Sequence, residues 1–330
     1  MANIKGEDIL RPFVRPVTDE DREKLPTFSH SKLECFENCP MQYKLKYLDK
    51  KTTSDTTIAL EIGTLLHAVL EQKGYMLNDE SNDCIVNYDK LLSYLEEGID
   101  EVTDKNSKHI PGLVELKAKY WESWGTPDSV GNTYDTKIQT FKTLLYDEME
   151  DDKWEPYLFE HPFEFVWNDK AIIVGFIDRI DKHGDMFRTV DYKTSKKIYD
   201  NSKIATSQQF GIYALAILNE FGKLPDQSMY RFILLDEKQY ALTKGWEKRL
   251  IKKLDKVFDQ IEELEKSQIW TPKASPLCYF CNYAKTNPTA KEYKNECEYY
   301  SLWTPSNKSF EKNKVFDARQ INDNKRKIVF

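Results

Sequence analysis

The chain has 330 residues, of which 40% are hydrophobic and 13% aromatic, enough for one large domain or two modest ones with a real core. This composition excludes wholesale disorder, and no apolar stretch is long and uncharged enough for a membrane-spanning helix. The formal net charge of −7 counts against a nucleic-acid binder without excluding one, because such binding needs only a local basic strip.

Residues 1–27 are polar, with Pro12, Pro16 and Pro26, and predict an extended lead-in. Residues 1–8 lack the apolar core of a signal peptide, so a soluble, cytoplasmic protein is expected. Ser29 and Ser31 can cap a helix that carries Leu33, Phe36, Tyr43 and Tyr47. A second helix is predicted over 58–75, with Ile62, Leu65, Leu66, Val69 and Leu70 as its apolar stripe; residues 28–84 form a region of N-terminal helices. The pattern over 85–150 stays helical and acidic, with Trp121 and Trp124, and predicts a helical insertion.

The period changes near residue 157. Residues 159–167, 171–181 and 186–193 are β-rich runs separated by the turn formers Asn168-Asp169-Lys170 and His183-Gly184-Asp185, which predicts a three-stranded meander. A helix over 205–221, a fourth strand over 229–235 and a long helix over 241–267 follow, so that 151–270 forms the core and long helix. In that last helix Leu250, Leu254, Val257, Ile261 and Leu264 recur at heptad-like spacing; packing onto the parent domain is favoured over a coiled-coil seam. Residues 271–304 are irregular and cysteine-bearing, and 305–330 read as a basic, flexible tail containing Lys325-Arg326-Lys327.

The main chemical signal is Gly175-Phe176-Ile177-Asp178-Arg179-Ile180-Asp181, followed by Asp191-Tyr192-Lys193-Thr194. Residues two apart on a strand share a face, so Asp191 and Lys193 project together, and the hairpin brings Asp178 opposite Asp191. Two acids and a lysine on facing strands suit a hard divalent cation and an anionic substrate; a solvated Asp–Lys pair is the plainer alternative. The strands are otherwise apolar, so buried acids would be costly there without a partner. Asp178 is preferred to Asp181 as the ligand, with Asp181 left to pair with Arg179 or Lys182. His67 lies on the second helix, and Gln209 and Tyr213 share a face of the helix after the meander.

Cysteines stand at 35, 39, 84, 278, 281 and 297, and Cys278-x-x-Cys281 suggests metal ligation rather than disulfides in a reducing compartment.

Taken in order, these motifs resemble the RecB-like branch of the PD-(D/E)XK nuclease superfamily. The matching pieces are Ser29-x-Ser31-x-Leu33-x-x-Phe36-x-x-Cys39-Pro40-x-x-Tyr43, Gly63-x-x-x-His67, Gly175-x-x-Asp178-Arg179, Asp191-Tyr192-Lys193-Thr194 and Gln209-x-x-x-Tyr213. The resemblance implies an α/β fold with a restriction-endonuclease-like αβββαβ core that cuts phosphodiesters with Mg²⁺ or Mn²⁺. It implies that His67, Asp178, Asp191 and the Tyr192 backbone carbonyl hold the metal. Asp178, Asp191 and Lys193 are then the catalytic residues, and Gln209 and Tyr213 bind the DNA strand. The iron–sulfur members of the family, of CRISPR-adaptation and AddB type, implicate Cys39, Cys278, Cys281 and Cys297 in a [4Fe–4S] cluster. The gap from Cys281 to Cys297 is longer than is usual in that branch, so a four-cysteine Zn²⁺ site stays open, as does Cys35 in place of Cys39. Cys84 is read as a bystander.

Lys248, Arg249, Lys252, Lys253 and Lys256 read as a solvated face of the long helix, whereas Lys44, Lys46, Lys50 and Lys51 are better placed for phosphates. No Gly-x-x-x-x-Gly-Lys-Ser/Thr loop occurs, so no helicase motor of that kind is expected within this sequence. The expectation is a stand-alone exonuclease on single-stranded or frayed DNA in recombination, repair or replication, with helicase or recombination proteins in trans. A structure-specific endonuclease and a catalytically idle binding member are the alternatives.

Overall fold

The computed structural model describes residues 5–52, 56–102, 107–128, 131–149, 153–241, 245–273, 275–284, 287, 290–294 and 296–297. The chain begins with α1 (Gly6–Leu10), β1 (Val14–Arg15), α2 (Asp19–Lys24) and β2 (Thr27–Ser29), followed by α3 (His30–Asn38) and α4 (Pro40–Tyr43). Next come α5 (Ile58–Leu77), α6 (Tyr88–Glu97), a hairpin of β3 (Gly98–Val102) and β4 (Ser107–Pro111), then α7 (Leu113–Lys119), α8 (Trp121–Trp124) and α9 (Tyr134–Asp147). β5 (Glu155–Trp167), β6 (Ala171–His183) and β7 (Met186–Lys193) form the meander. α10 (Asn201–Ala205), α11 (Gln208–Phe221), β8 (Gln227–Phe232), β9 (Glu237–Ala241) and α12 (Trp246–Ser267) complete the series.

Two compact units result: Met1–His30 with Thr56–Leu254, and Ser31–Asp55 with Asp255–Phe330. The first is built on a seven-stranded sheet in the order β1-β5-β6-β7-β8-β9, with β2 pairing β6. Its α5, β5–β7, α11 and β8 reproduce the expected αβββαβ core. β7 and β8 are parallel, as a helical crossover requires, whereas β5, β6 and β7 are successive antiparallel partners. Ser207 caps α11 through its hydroxyl, and Gly222 ends the helix in the left-handed region at φ 73°.

β6 changes partner along one edge. Ile172, Ile173 and Val174 pair with the parallel β2, and Arg179 to His183 pair with β7. Residues 175–178 have no rung in either of these two ladders.

The expected stripe of α5 is buried, and packs with Leu91 and Leu95 of α6, Phe141 and Leu145 of α9, and Val190 and Met229 of the sheet. The helices over 85–150 therefore share a core with α5. α5 approaches β5 closely at Gly74, where a Cβ would lie 2.2 Å from the Phe159 ring.

Several sequence expectations need correction. The lead-in is not simply extended: α1 and α2 form within it, the second fixed by a Thr18–Asp21 capping box, and β1 and β2 join the sheet. The insertion carries the β3–β4 hairpin as well as helices, and β9 precedes α12, which starts at Trp246 rather than near 241. The basic tail expected over 305–330 lies outside the described residues.

In the second unit Tyr43 meets Phe36 edge-on at 5.4 Å and stacks on Trp270 at 5.9 Å. α4 runs into a π-helical turn over Lys44–Leu48. Lys44 pairs with Asp49 and Lys51 with Glu296, each at 2.6 Å. Among the described residues, no helix is long and apolar enough to cross a membrane.

Candidate active site and cysteine centre

Alternation along β6 sends Ile177, Arg179 and Asp181 to one face and Asp178 to the other. The β6–β7 register runs to Arg179↔Val190, so one further rung would set Asp178 against Asp191. Instead of a backbone rung, the Asp178 carboxylate accepts the Tyr192 amide N–H at 2.7 Å. His67 of α5, 29% exposed, brings Nδ1 to 3.6 Å from Asp178 Oδ2.

Beside this pair stands Glu160 of β5. Ligand atoms of His67, Glu160 and Asp178 all lie within 4.8 Å of one another. Glu160 falls between the rungs Phe159↔Arg179 and His161↔Ile177, facing Asp178, and has φ 39°. A left-handed conformation is costly for a residue with a side chain and tends to be retained where a site needs it. The sequence reading missed Glu160, which shares its predicted strand with a second acid, Glu164, so composition alone did not single it out.

Asp191 and Lys193 form a second group. The Lys193 ammonium lies 2.6 Å from Asp191 Oδ2. Gln209 donates to Asp191 Oδ1 at 2.6 Å and accepts from Lys193 at 3.0 Å, while Tyr213 donates to Asp191 Oδ1 at 3.1 Å. Four of the expected residues thus form one hydrogen-bonded cluster. Asp191 lies outside the His67–Glu160–Asp178 triple, but its charge reaches Asp178. Burial, then Asp191, push the Asp178 pKa up to about 6, against the opposing pull of His67, the Tyr192 N–H and Lys193. Burial would lower Lys193, but its pairing with Asp191 raises it above the usual lysine range and keeps it charged.

Behind these residues lies a buried ionic network. Asp181 pairs with Arg179 and Arg188, not with Lys182. Arg179 also donates to Glu148 at 2.9 Å and to the Tyr192 hydroxyl at 2.7 Å. Lys182 instead lies over the rings of Tyr157 and Phe187.

His67, Glu160 and Asp178 offer one imidazole and two carboxylates, a donor set fit for Mg²⁺ or Mn²⁺. With a charged lysine alongside, the arrangement can bind a metal-bridged phosphate.

In the second unit Cys39, Cys278, Cys281 and Cys297 line one pocket, together with Met41, Leu45 and Leu277. Cys35 is not among its lining residues, and Cys84 is exposed. The Lys273 amide donates to Cys39 Sγ at 3.4 Å and the Ser275 amide to Cys278 Sγ at 3.5 Å. Burial pushes the Cys281 thiol up to about 12.

A profile of the PD-(D/E)XK nuclease superfamily matches residues 27–286. The chain is also 24% identical over 220 residues to an ATP-dependent helicase/deoxyribonuclease subunit of Ruminiclostridium cellulolyticum, a match covering 61% of this chain and 18% of that protein. The chain thus spans under a fifth of that relative's length. With the αβββαβ core and the family match over most of its length, the chain belongs to the PD-(D/E)XK nuclease superfamily.

Proposed function

We propose that this protein is a Mg²⁺- or Mn²⁺-dependent DNA exonuclease acting on single-stranded or frayed ends in recombination, repair or replication. The observation that carries the reading is the meeting of His67, Glu160 and Asp178 beside the Asp191–Lys193 pair. The relative's name, a helicase/deoxyribonuclease subunit, supports DNA as the substrate and helicase or recombination proteins as partners in trans.

In this reading His67, Asp178, Asp191 and the Tyr192 carbonyl hold the cation, and Glu160 joins them. A bound divalent cation lowers the pKa of its water and neutralises charge that builds on the phosphate. Lys193, steadied by Asp191 and Gln209, orients the attacking water and stabilises the phosphate oxygens. Gln209 and Tyr213, packed against Asp191, position the strand.

Cys39, Cys278, Cys281 and Cys297 are read as ligands of a [4Fe–4S] cluster. The four thiols line one pocket, and the same ligands would also suit a tetrahedral zinc site. Cysteines in metal-ligand spacing favour a reducing cytoplasm as the compartment.

The test compares a 5′-labelled single strand, a 3′-labelled single strand and a closed circle, each with Mn²⁺, for the natural protein, Asp191→Ala and Lys193→Ala. The expected result is degradation of the linear strands, an intact circle, and no cutting by either variant despite retained DNA binding. Cutting of the circle would make the enzyme an endonuclease, and undiminished cutting by both variants would sink the site.

A further inference from the structure

The buried network behind the site begins in the helical insertion. Glu148, just past the end of α9 and 4% exposed, accepts from Arg179 at 2.9 Å and from Arg231 at 2.6 Å. The same Arg179 nitrogen donates to the Tyr192 hydroxyl at 2.7 Å. The Tyr192 ring stands edge-on to His67, with centroids 5.9 Å apart at 82°, and its backbone N–H is the donor held by Asp178. Arg179 and Arg188 are further tied to Asp181, and Arg231 to Asp236.

A second tie reaches the same point from the helix that carries His67. Lys73 of α5, fully buried, donates to the backbone carbonyls of Leu145 at 2.8 Å, Tyr146 at 3.3 Å and Glu148 at 2.5 Å. The end of α9 is therefore gripped by α5 through Lys73, by β6 through Arg179 and by β8 through Arg231.

Buried ion networks are poor sources of stability, since well-packed apolar side chains in the same space are often as stable or more so. What they supply is direction. The direction here ends on Tyr192, which touches His67 with its ring and Asp178 with its backbone N–H.

We infer that Glu148 and Arg179 are positioning residues that act through the Tyr192 hydroxyl, fixing the Tyr192 ring and peptide and thereby the seat of His67 and Asp178. The inference rests on the metal-site reading proposed above. It makes the helical insertion part of the frame of the metal site. Partners of this kind, which orient ligands without touching the ion, commonly change metal affinity by about 10–100-fold when removed.

The test measures Mn²⁺ binding by the full-length protein, from the electron paramagnetic resonance signal of free Mn²⁺. The variants are Tyr192→Phe, Glu148→Gln and the double substitution, with near-UV circular dichroism to check the fold. Each single variant is expected to weaken binding by about tenfold, and the double variant to bind no more weakly than Tyr192→Phe alone, because both act through one contact. Unchanged affinity in Tyr192→Phe, or single effects that multiply in the double variant, would overturn the inference. Tyr192→Phe removes one oxygen and leaves Arg179 paired with Glu148 and Asp181, so it carries the test even if Glu148→Gln does not fold. Asp178→Asn separates the two claims: if it binds Mn²⁺ like the natural protein, the metal-site reading fails and takes the inference with it.

Discussion

The Asp178 carboxylate and the Tyr192 amide meet at 2.7 Å at the point where β6 and β7 leave their ladder. This fork brings the Asp178 carboxylate within reach of His67 from α5 and keeps it close to the charge of Asp191.

That position gives a pH dependence of definite sign. Asp178 has a folded pKa of about 6 against an ordinary value of 3.8. Between these values the native state holds a proton that the unfolded chain has released, so metal-free stability falls as pH rises through this window. Asp178→Asn is expected to flatten the slope and to stabilise the metal-free protein at pH 7 by on the order of 3 kcal/mol. Urea unfolding across pH 4 to 7 measures both; equal slopes in variant and parent would remove Asp178 as the source.

Glu160→Gln keeps the side-chain volume and removes one of the three clustered ligands. At least about a tenfold rise in the Mn²⁺ concentration needed for half-maximal cleavage is expected. An unchanged Mn²⁺ titration would assign Glu160 to the fold alone.

Gly74→Ala tests the packing of the helix that carries His67. Alanine is the better helix former by about 1 kcal/mol, but its methyl group would drive into the buried Phe159 ring. Overpacking costs about 1–3 kcal/mol, so net destabilisation is expected. A higher melting temperature would mean that β5 yields at this point.

Cys281→Ser addresses the cysteine centre. Anaerobically purified protein is expected to absorb near about 400 nm, and the variant to lose both this band and its iron. The variant should also melt at a lower temperature, since ligand-bound cysteines join segments far apart in the chain. Stoichiometric zinc in the natural protein would replace the cluster assignment.

The core was legible because its signals are local. The α5 stripe, the alternation in β6 and β7, and the turns at 168–170 and 183–185 each fix one element. The pairing of Asp191 with Lys193 followed from strand periodicity, and that of Gln209 with Tyr213 from helical spacing. Glu160 was not legible as a ligand, because its place beside Asp178 depends on the exact β5–β6 register and on a left-handed backbone. The partners of Asp181 were half legible: Arg179 was named from its neighbourhood, whereas Arg188 reaches it only through the β6–β7 pairing. β1, β2 and β9 were missed because short edge strands owe their existence to the sheet they join rather than to their own composition.

The change of partner along β6 has a mechanical consequence. A strand gripped by one neighbour at its beginning and another at its end is anchored twice, and the interval between the anchors is a notch in an otherwise continuous sheet. Atoms bordering such a notch can shift to admit an ion without breaking any ladder, because no rung on that edge crosses it. The scaffold can stay rigid while its most reactive border adjusts.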